Sequence, residues 1–183
     1  SLVKRLLDQT AMSVIFGASN SGKTFIAVDL AASIARGIDW RERKVEQGAV
    51  IYVAAEGGLG IEERFAAYAK HHNIEPGETP LYVVPSAVDM CSCSADTDAL
   101  IDDITVTLDG QRVVLIIIDT LSRVLAGGDE NAANDMGAVV ANCDQLRQAL
   151  KAHVLLIHHT GKDEGRGARG HSVVRAAGDT KIK

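Results

Sequence analysis

The chain has 183 residues, of which 46% are hydrophobic and 23% charged, and its net charge is −5. This length and composition predict one globular domain with a core of its own, spanning residues 1–183. The apolar runs, such as Val113–Ile118, are too short to cross a bilayer, and the first residues have no signal-peptide core. With three cysteines at no framework spacing, we expect a cytoplasmic protein that makes no membrane contact.

Apolar runs and helical patterns alternate along the chain. The predicted strands cover residues 12–16, 48–55, 81–84, 112–119 and 153–159. The predicted helices cover residues 22–36, 61–72, 96–108 and 135–151, with loops at 125–134 and 160–172. Strands that are apolar along their whole length are typical of a parallel sheet buried on both faces. The alternation therefore predicts an α/β fold, with a doubly wound, mostly parallel sheet and helices on both faces.

A glycine-containing loop joins the first predicted strand to the first predicted helix. It matches the pattern G-x-x-x-x-G-K-[ST] with Gly17, Ala18, Ser19, Asn20, Ser21, Gly22, Lys23 and Thr24. Such a loop points backbone N–H groups at phosphate oxygens, and the positive end of the following helix adds to the attraction. We expect Lys23 to reach the β- and γ-phosphates and Thr24 to ligate Mg²⁺. The loop and Phe25 are the predicted binding site for ATP.

The most apolar predicted strand ends in Asp119. Ligands of α/β sheets bind beyond the carboxyl ends of the strands, so Asp119 is expected to face the phosphate loop. A carboxylate there suits a second contact to Mg²⁺ through water, with Thr120 and Ser122 nearby. The alternative is an ordinary cap of a turn or helix.

Glu56 and the pair His158 and His159 follow two other predicted strands. Glu56 is a candidate general base that orients water toward the γ-phosphate, or else a surface carboxylate near a turn. One of the two histidines could hydrogen-bond the γ-phosphate or the attacking water, although a histidine at a strand end is often structural. These side chains and the loop are expected to share one crevice.

The end of the chain is basic and rich in glycine. From His159 onward the net charge is +3, whereas the residues before it carry −8. Arg169 or Arg175 could reach the site of a neighbouring subunit and stabilise charge on the transferred phosphoryl group. Lys162 and Arg166 are better suited to contacts with a polyanion. A solvated tail is the alternative for all four residues.

Several segments together resemble the RecA-like ATPases of the plasmid replicative helicase (RepA) and phage helicase type. They are "GASNSGKT", "VIYVAAEGG", "LIIIDTLSR", "NAANDMGAVV", "VLLIHHTGKD" and "RGARGHSVVRAAGDT". The resemblance extends from about residue 12 to 180. It implies a hexameric ring that hydrolyses ATP at subunit boundaries and moves single-stranded DNA through its pore.

The resemblance also assigns roles to residues. Glu56 matches the catalytic glutamate of the family, His158 and His159 match its phosphate-sensing position, and Arg169 matches its arginine finger. His171 stands where relatives have a small residue, which leaves the choice between Arg169 and Arg175 open. The loops at 123–134 and 160–171 match pore-facing segments. Because relatives continue with further strands, we expect the chain to be a fragment of a longer replication protein.

Two alternative functions stay open at this point. The first is a RecA-like ATPase with a recombination, signalling or regulatory role, which would share the chemistry but not translocate DNA. The second is a non-catalytic module that binds ATP and reports it by oligomerising.

Overall fold

The structure is a computed structural model that describes residues 1–56, 58–75, 77–159 and 180–182. Its strands are β1 (Met12–Gly17), β2 (Ala49–Ala54), β3 (Leu81–Val84), β4 (Val113–Asp119), β5 (His153–His159) and β6 (Thr180–Ile182). Its helices are α1 (Lys23–Arg36), α2 (Gly58–His72), α3 (Ala95–Leu108), α4 (Leu121–Val124) and α5 (Ala133–Leu150).

The six strands form one sheet in the order β3-β2-β4-β5-β1-β6, and each neighbouring pair is parallel. The predicted doubly wound α/β architecture is therefore confirmed. Parallel pairing places all carboxyl ends at one edge of the sheet. Since β5 lies between β1 and β4, its last residues stand between the phosphate loop and Asp119.

Both faces of the sheet are covered, because successive residues of a strand point to opposite sides. On β4, Leu115 and Ile117 pack into the layer formed with α1 and α2, and Ile116 and Ile118 pack into the layer formed with α3 and α5. All of β4 is buried. Its sequence is apolar from Val113 to Ile118 for this reason.

A glycine with a positive φ stands at each end of the first helix. Gly22 precedes it with φ +88°, and Gly37 follows it with φ +70°, a left-handed conformation that glycine adopts without strain. The N–H of Gly37 donates to the carbonyl of Ile34, which closes the last turn. These glycines set the position of α1 between the loop and the core.

Two short elements were not predicted. The helix α4 has four residues, too few to show a helical period in the sequence. The strand β6 has three residues and lies at the edge beside β1, where Ser13 pairs with Thr180 and Ile15 with Ile182. The residues of β6 form a strand only because they pair with β1, which is far away in the sequence. Among the described residues, no helix is long and apolar enough to cross a membrane.

Candidate functional site

A pocket of about 450 Å³ lies at the carboxyl edge of the sheet. Its lining comes from residues 20–25, from the ends of β2, β4 and β5, and from the first two turns of α2. Glu56, Asp119 and His159 all contribute to it, together with Lys23 and Thr24. The structure therefore brings together the strand-end residues and the loop that the sequence predicts to share a crevice.

The loop presents a positive and donor-rich end to this pocket. The first intrahelical bond of α1 runs from the N–H of Ile26 to the carbonyl of Gly22, so earlier N–H groups of the first turn remain for an anion. Lys23 is buried, and its Nζ donates to the carbonyl oxygens of Gly17 at 2.9 Å and Ala18 at 2.8 Å. Burial lowers the pKa of Lys23, an effect that the negative charge of Asp119 opposes.

Three members of the predicted loop do not line the pocket itself. Gly17, Ala18 and Ser19 precede the lining residues, and the first two face Lys23 through their carbonyl oxygens. Gly17 has little room for a side chain, because a Cβ there would lie 3.1 Å from Ser21 Oγ. The loop thus combines a tightly packed first half with a second half that faces the pocket.

Asp119 is buried and is held by two hydroxyl groups. Thr24 Oγ1 donates to Asp119 Oδ2 at 3.1 Å, and the hydroxyl of Tyr52 donates to the same oxygen at 2.6 Å. Burial raises the pKa of Tyr52 well above its usual range, and the charge of Asp119 and the hydrogen bond to it raise it further. The Tyr52 hydroxyl therefore stays protonated and acts as a donor.

Glu56 lies just beyond β2 at the rim of the pocket, with about half of its side chain exposed. Thr120 Oγ1 donates to Glu56 Oε1 at 3.2 Å, and Thr120 is itself 3.0 Å from Ser122 Oγ. Arg123 Nε lies 3.8 Å from the same Glu56 oxygen. Thr120 was expected beside Asp119 in the metal shell, but its described hydrogen bonds go to Glu56 and Ser122.

The two adjacent histidines face opposite sides of the sheet. His159 pairs with Gly17 in register and lines the pocket. His158 pairs with Phe16, is 5% exposed and does not contribute to the pocket. The alternation of strand side chains explains why His159, and not His158, lines the pocket.

An aromatic side chain and an arginine stand at the outer side of the pocket. Phe25 is 65% exposed, and the guanidinium of Arg64 on α2 lies 5.4 Å from the centre of its ring. Both residues also line a second, largely apolar cavity of about 350 Å³ between α1 and α2, next to Val28 and Tyr68. A flat apolar group bound beside the loop would contact Phe25 and Arg64.

The donor set of the pocket suits a hard cation. A threonine hydroxyl and an aspartate carboxylate 3.1 Å apart offer the oxygen ligands that Mg²⁺ prefers. The residues present therefore fit a magnesium ion between Thr24 and Asp119.

The predicted arginine finger lies outside the described residues. This applies to Arg169 and Arg175, to Lys162 and Arg166, and to the predicted loop at 160–171. Of the other predicted pore-facing segment, residues 123–124 end α4, residues 125–132 connect the two helices, and residues 133–134 begin α5.

Sequence reasoning missed Tyr52, Arg64 and Arg123. A signal for Tyr52 was present, since it is the one residue with a polar side-chain atom in the apolar run predicted as the strand at 48–55. Arg64 and Arg123 had no comparable signal, because their contacts with Phe25 and Glu56 join different helices and loops.

A phosphate loop that opens a helix at the carboxyl edge of a parallel sheet, with a carboxylate on a nearby strand, is the arrangement of P-loop NTPases, and the strand order is consistent with the RecA-like fold. A family model described as an AAA domain matches residues 1–165, and the chain belongs to this family. It is thus a nucleotide-binding ATPase domain. No curated protein matches the chain significantly.

Proposed function

We propose that this domain is the ATP-hydrolysing motor of a hexameric RecA-like DNA helicase or replication protein. It would bind ATP with Mg²⁺ at the loop and hydrolyse it at the boundaries between subunits. The observation that carries the proposal is the contact between Thr24 and Asp119, with Glu56 and His159 at the same pocket. This combination supports turnover rather than nucleotide binding alone, because it offers a candidate base as well as a phosphate site.

In this proposal Lys23 and the first turn of α1 hold the phosphates, and Thr24 and Asp119 hold the metal ion. Bound Mg²⁺ would neutralise charge on the β- and γ-phosphate oxygens. Phe25 and Arg64 would contact the nucleobase, since they offer a flat apolar face and a cation beside the loop.

The reaction is a displacement at the γ-phosphorus. Glu56 accepts a proton from a water molecule, whose oxygen forms a bond to the γ-phosphorus. The bond between that phosphorus and the bridging oxygen breaks, and ADP and phosphate leave. His159 would hydrogen-bond the γ-phosphate, and an arginine of a neighbouring copy, Arg169 or Arg175 in this sequence, would stabilise the charge that develops.

The hexamer and the single-stranded DNA rest on the resemblance to helicases and on the basic, glycine-rich end of the chain. A net charge of +3 from His159 onward is attractive to phosphates, while the rest of the chain repels them with −8. DNA would then contact this end and the loop that follows α4.

The test measures the steady-state ATPase rate with and without single-stranded DNA, over a series of salt concentrations, alongside the particle mass in solution. Lys23→Ala is the control, because it removes the phosphate-binding ammonium and should abolish turnover in every condition. We expect a several-fold stimulation that declines as salt rises, together with a particle larger than a monomer.

The alternatives predict different results. An ATPase with no response to DNA would favour a recombination, signalling or regulatory role over the helicase. Nucleotide binding without turnover in any condition would instead indicate a module that binds ATP without hydrolysing it.

A further inference from the structure

We propose that Tyr52 is a positioning residue that fixes the Asp119 carboxylate for metal binding. The inference rests on the proposed function, in which Asp119 and Thr24 hold the magnesium ion. Tyr52 lines the pocket beside Asp119, and in this proposal it acts on the metal through Asp119 and not as a ligand of its own.

The hydrogen bonds at Asp119 point to this role. Its Oδ2 atom accepts from Tyr52 at 2.6 Å and from Thr24 at 3.1 Å. The hydrogen bond from Tyr52 has the short length typical of a strong, charge-assisted bond between a hydroxyl and a carboxylate. Two donors on one oxygen define the rotation of the carboxylate group and leave Oδ1 for other partners.

Tyr52 is itself held rigidly. It is fully buried and lies in the middle of β2, paired in register with Val83 on β3 and Ile117 on β4. Its ring packs edge-on against Phe65 of α2, with centroids 5.4 Å apart and planes at 85°. A donor fixed by strands on both sides and by a ring contact can orient its acceptor with little freedom.

The need for such a donor follows from the surroundings of Asp119. Asp119 is 7% exposed, so water cannot easily replace a hydrogen bond that its carboxylate loses. Without Tyr52, the hydroxyl of Thr24 would remain as its described side-chain donor, while the same hydroxyl oxygen is needed by the metal. The carboxylate would then rotate more freely, and metal affinity would fall. Nucleotide binding without metal does not involve this contact and should persist.

The test compares Tyr52→Phe with Tyr82→Phe in the full chain. Both substitutions remove one hydroxyl hydrogen bond from a tyrosine on adjacent strands, but Tyr82 donates to Gln111 at 2.9 Å on the exposed edge. Mn²⁺ affinity is measured by electron paramagnetic resonance with the non-hydrolysable analogue AMP-PNP. Affinity for a fluorescent ADP is measured separately in EDTA, and circular dichroism reports folding.

We expect Tyr52→Phe to weaken Mn²⁺ binding about 10- to 100-fold, the usual effect of losing a partner of a metal ligand. Its ADP affinity in EDTA should stay within about twofold of the wild type, and Tyr82→Phe should match the wild type in both assays. A folded Tyr52→Phe variant with unchanged Mn²⁺ affinity would overturn the inference, and so would an equal loss of ADP binding in EDTA.

Two further outcomes separate the possible failures. A wild-type chain that binds no nucleotide in either assay would refute the proposed function itself, and the role of Tyr52 with it. If Tyr52→Phe does not fold, Phe65→Leu loosens the ring while keeping the hydroxyl. A smaller but measurable loss of Mn²⁺ affinity is then expected, and no loss would count against the inference.

Discussion

Replacing Glu56 by glutamine exchanges one carboxylate oxygen for an amide nitrogen of similar size. The variant keeps an oxygen that can accept the hydrogen bond from Thr120, described at 3.2 Å. It loses the ion pair with Arg123, in which the two charged atoms are 3.8 Å apart and both side chains are more than half exposed. The substitution therefore removes the candidate base with little change to packing.

The two expected effects differ in size. An exposed ion pair contributes about 0–1 kcal/mol to the free energy of unfolding, so its loss should lower that free energy by no more than this amount. Loss of a general base lowers a rate about 10²- to 10⁴-fold. At about 1.4 kcal/mol for each factor of ten, this raises the activation free energy by about 3–5 kcal/mol. The effect on turnover should thus exceed the effect on stability several times over.

The assay measures single-turnover ATP hydrolysis, ATP affinity by equilibrium titration, and unfolding in urea. Glu62→Gln is the matched control, because it makes the same charge change on an exposed residue of α2 that does not line the pocket. We expect Glu56→Gln to bind ATP as the wild type does while hydrolysing it at least 100-fold more slowly, and Glu62→Gln to resemble the wild type throughout.

Hydrolysis by Glu56→Gln within about tenfold of the wild-type rate would refute the assignment of the base. A parallel loss of ATP binding would point to a role of Glu56 in nucleotide affinity instead. A large drop in the free energy of unfolding would contradict the packing argument.

Two predictions concern stability. Gly48→Ala should destabilise the fold by about 1–3 kcal/mol in urea unfolding, because a Cβ there would overlap a methyl group of Val114 in β4. Gly137→Ala, where a Cβ meets no described atom within 4 Å inside α5, should instead gain up to about 1 kcal/mol, and equal effects would contradict this reasoning. Burial raises the pKa of the Cys143 thiol from 9.0 to about 12, so its contribution to stability is complete below pH 9 and declines as the pH rises toward 12. Unfolding measured at pH 7 and pH 10.5 should therefore show a larger loss for the wild type than for Cys143→Ala.

The pattern of hydrogen bonds suggests how the pocket is organised around two carboxylates. Asp119 is buried and receives its hydroxyl donors from β2 and α1. Glu56 is half exposed and contacts side chains from the segment that follows β4. Different surroundings suit different tasks, since a metal ligand needs a fixed position, whereas a base needs access to water.

Much of this arrangement could be read from the sequence because it is local. The loop from Gly17 to Thr24 is a contiguous motif, and the apolar runs that became strands were recognisable by their length and composition. The end of each run also indicated which residues lie at the carboxyl edge. The sequence alone therefore predicts Glu56, Asp119 and a histidine as neighbours of the loop.

The strand order and the register of the sheet were decided only by the tertiary structure. They place His159 rather than His158 at the pocket, join Tyr52 to Asp119 across 67 positions, and pair β6 with β1. A local pattern shows that side chains alternate, but it cannot show which strand lies beside which, or which face meets α1. Those choices depend on how apolar surfaces from distant segments pack together, and only the assembled core determines them.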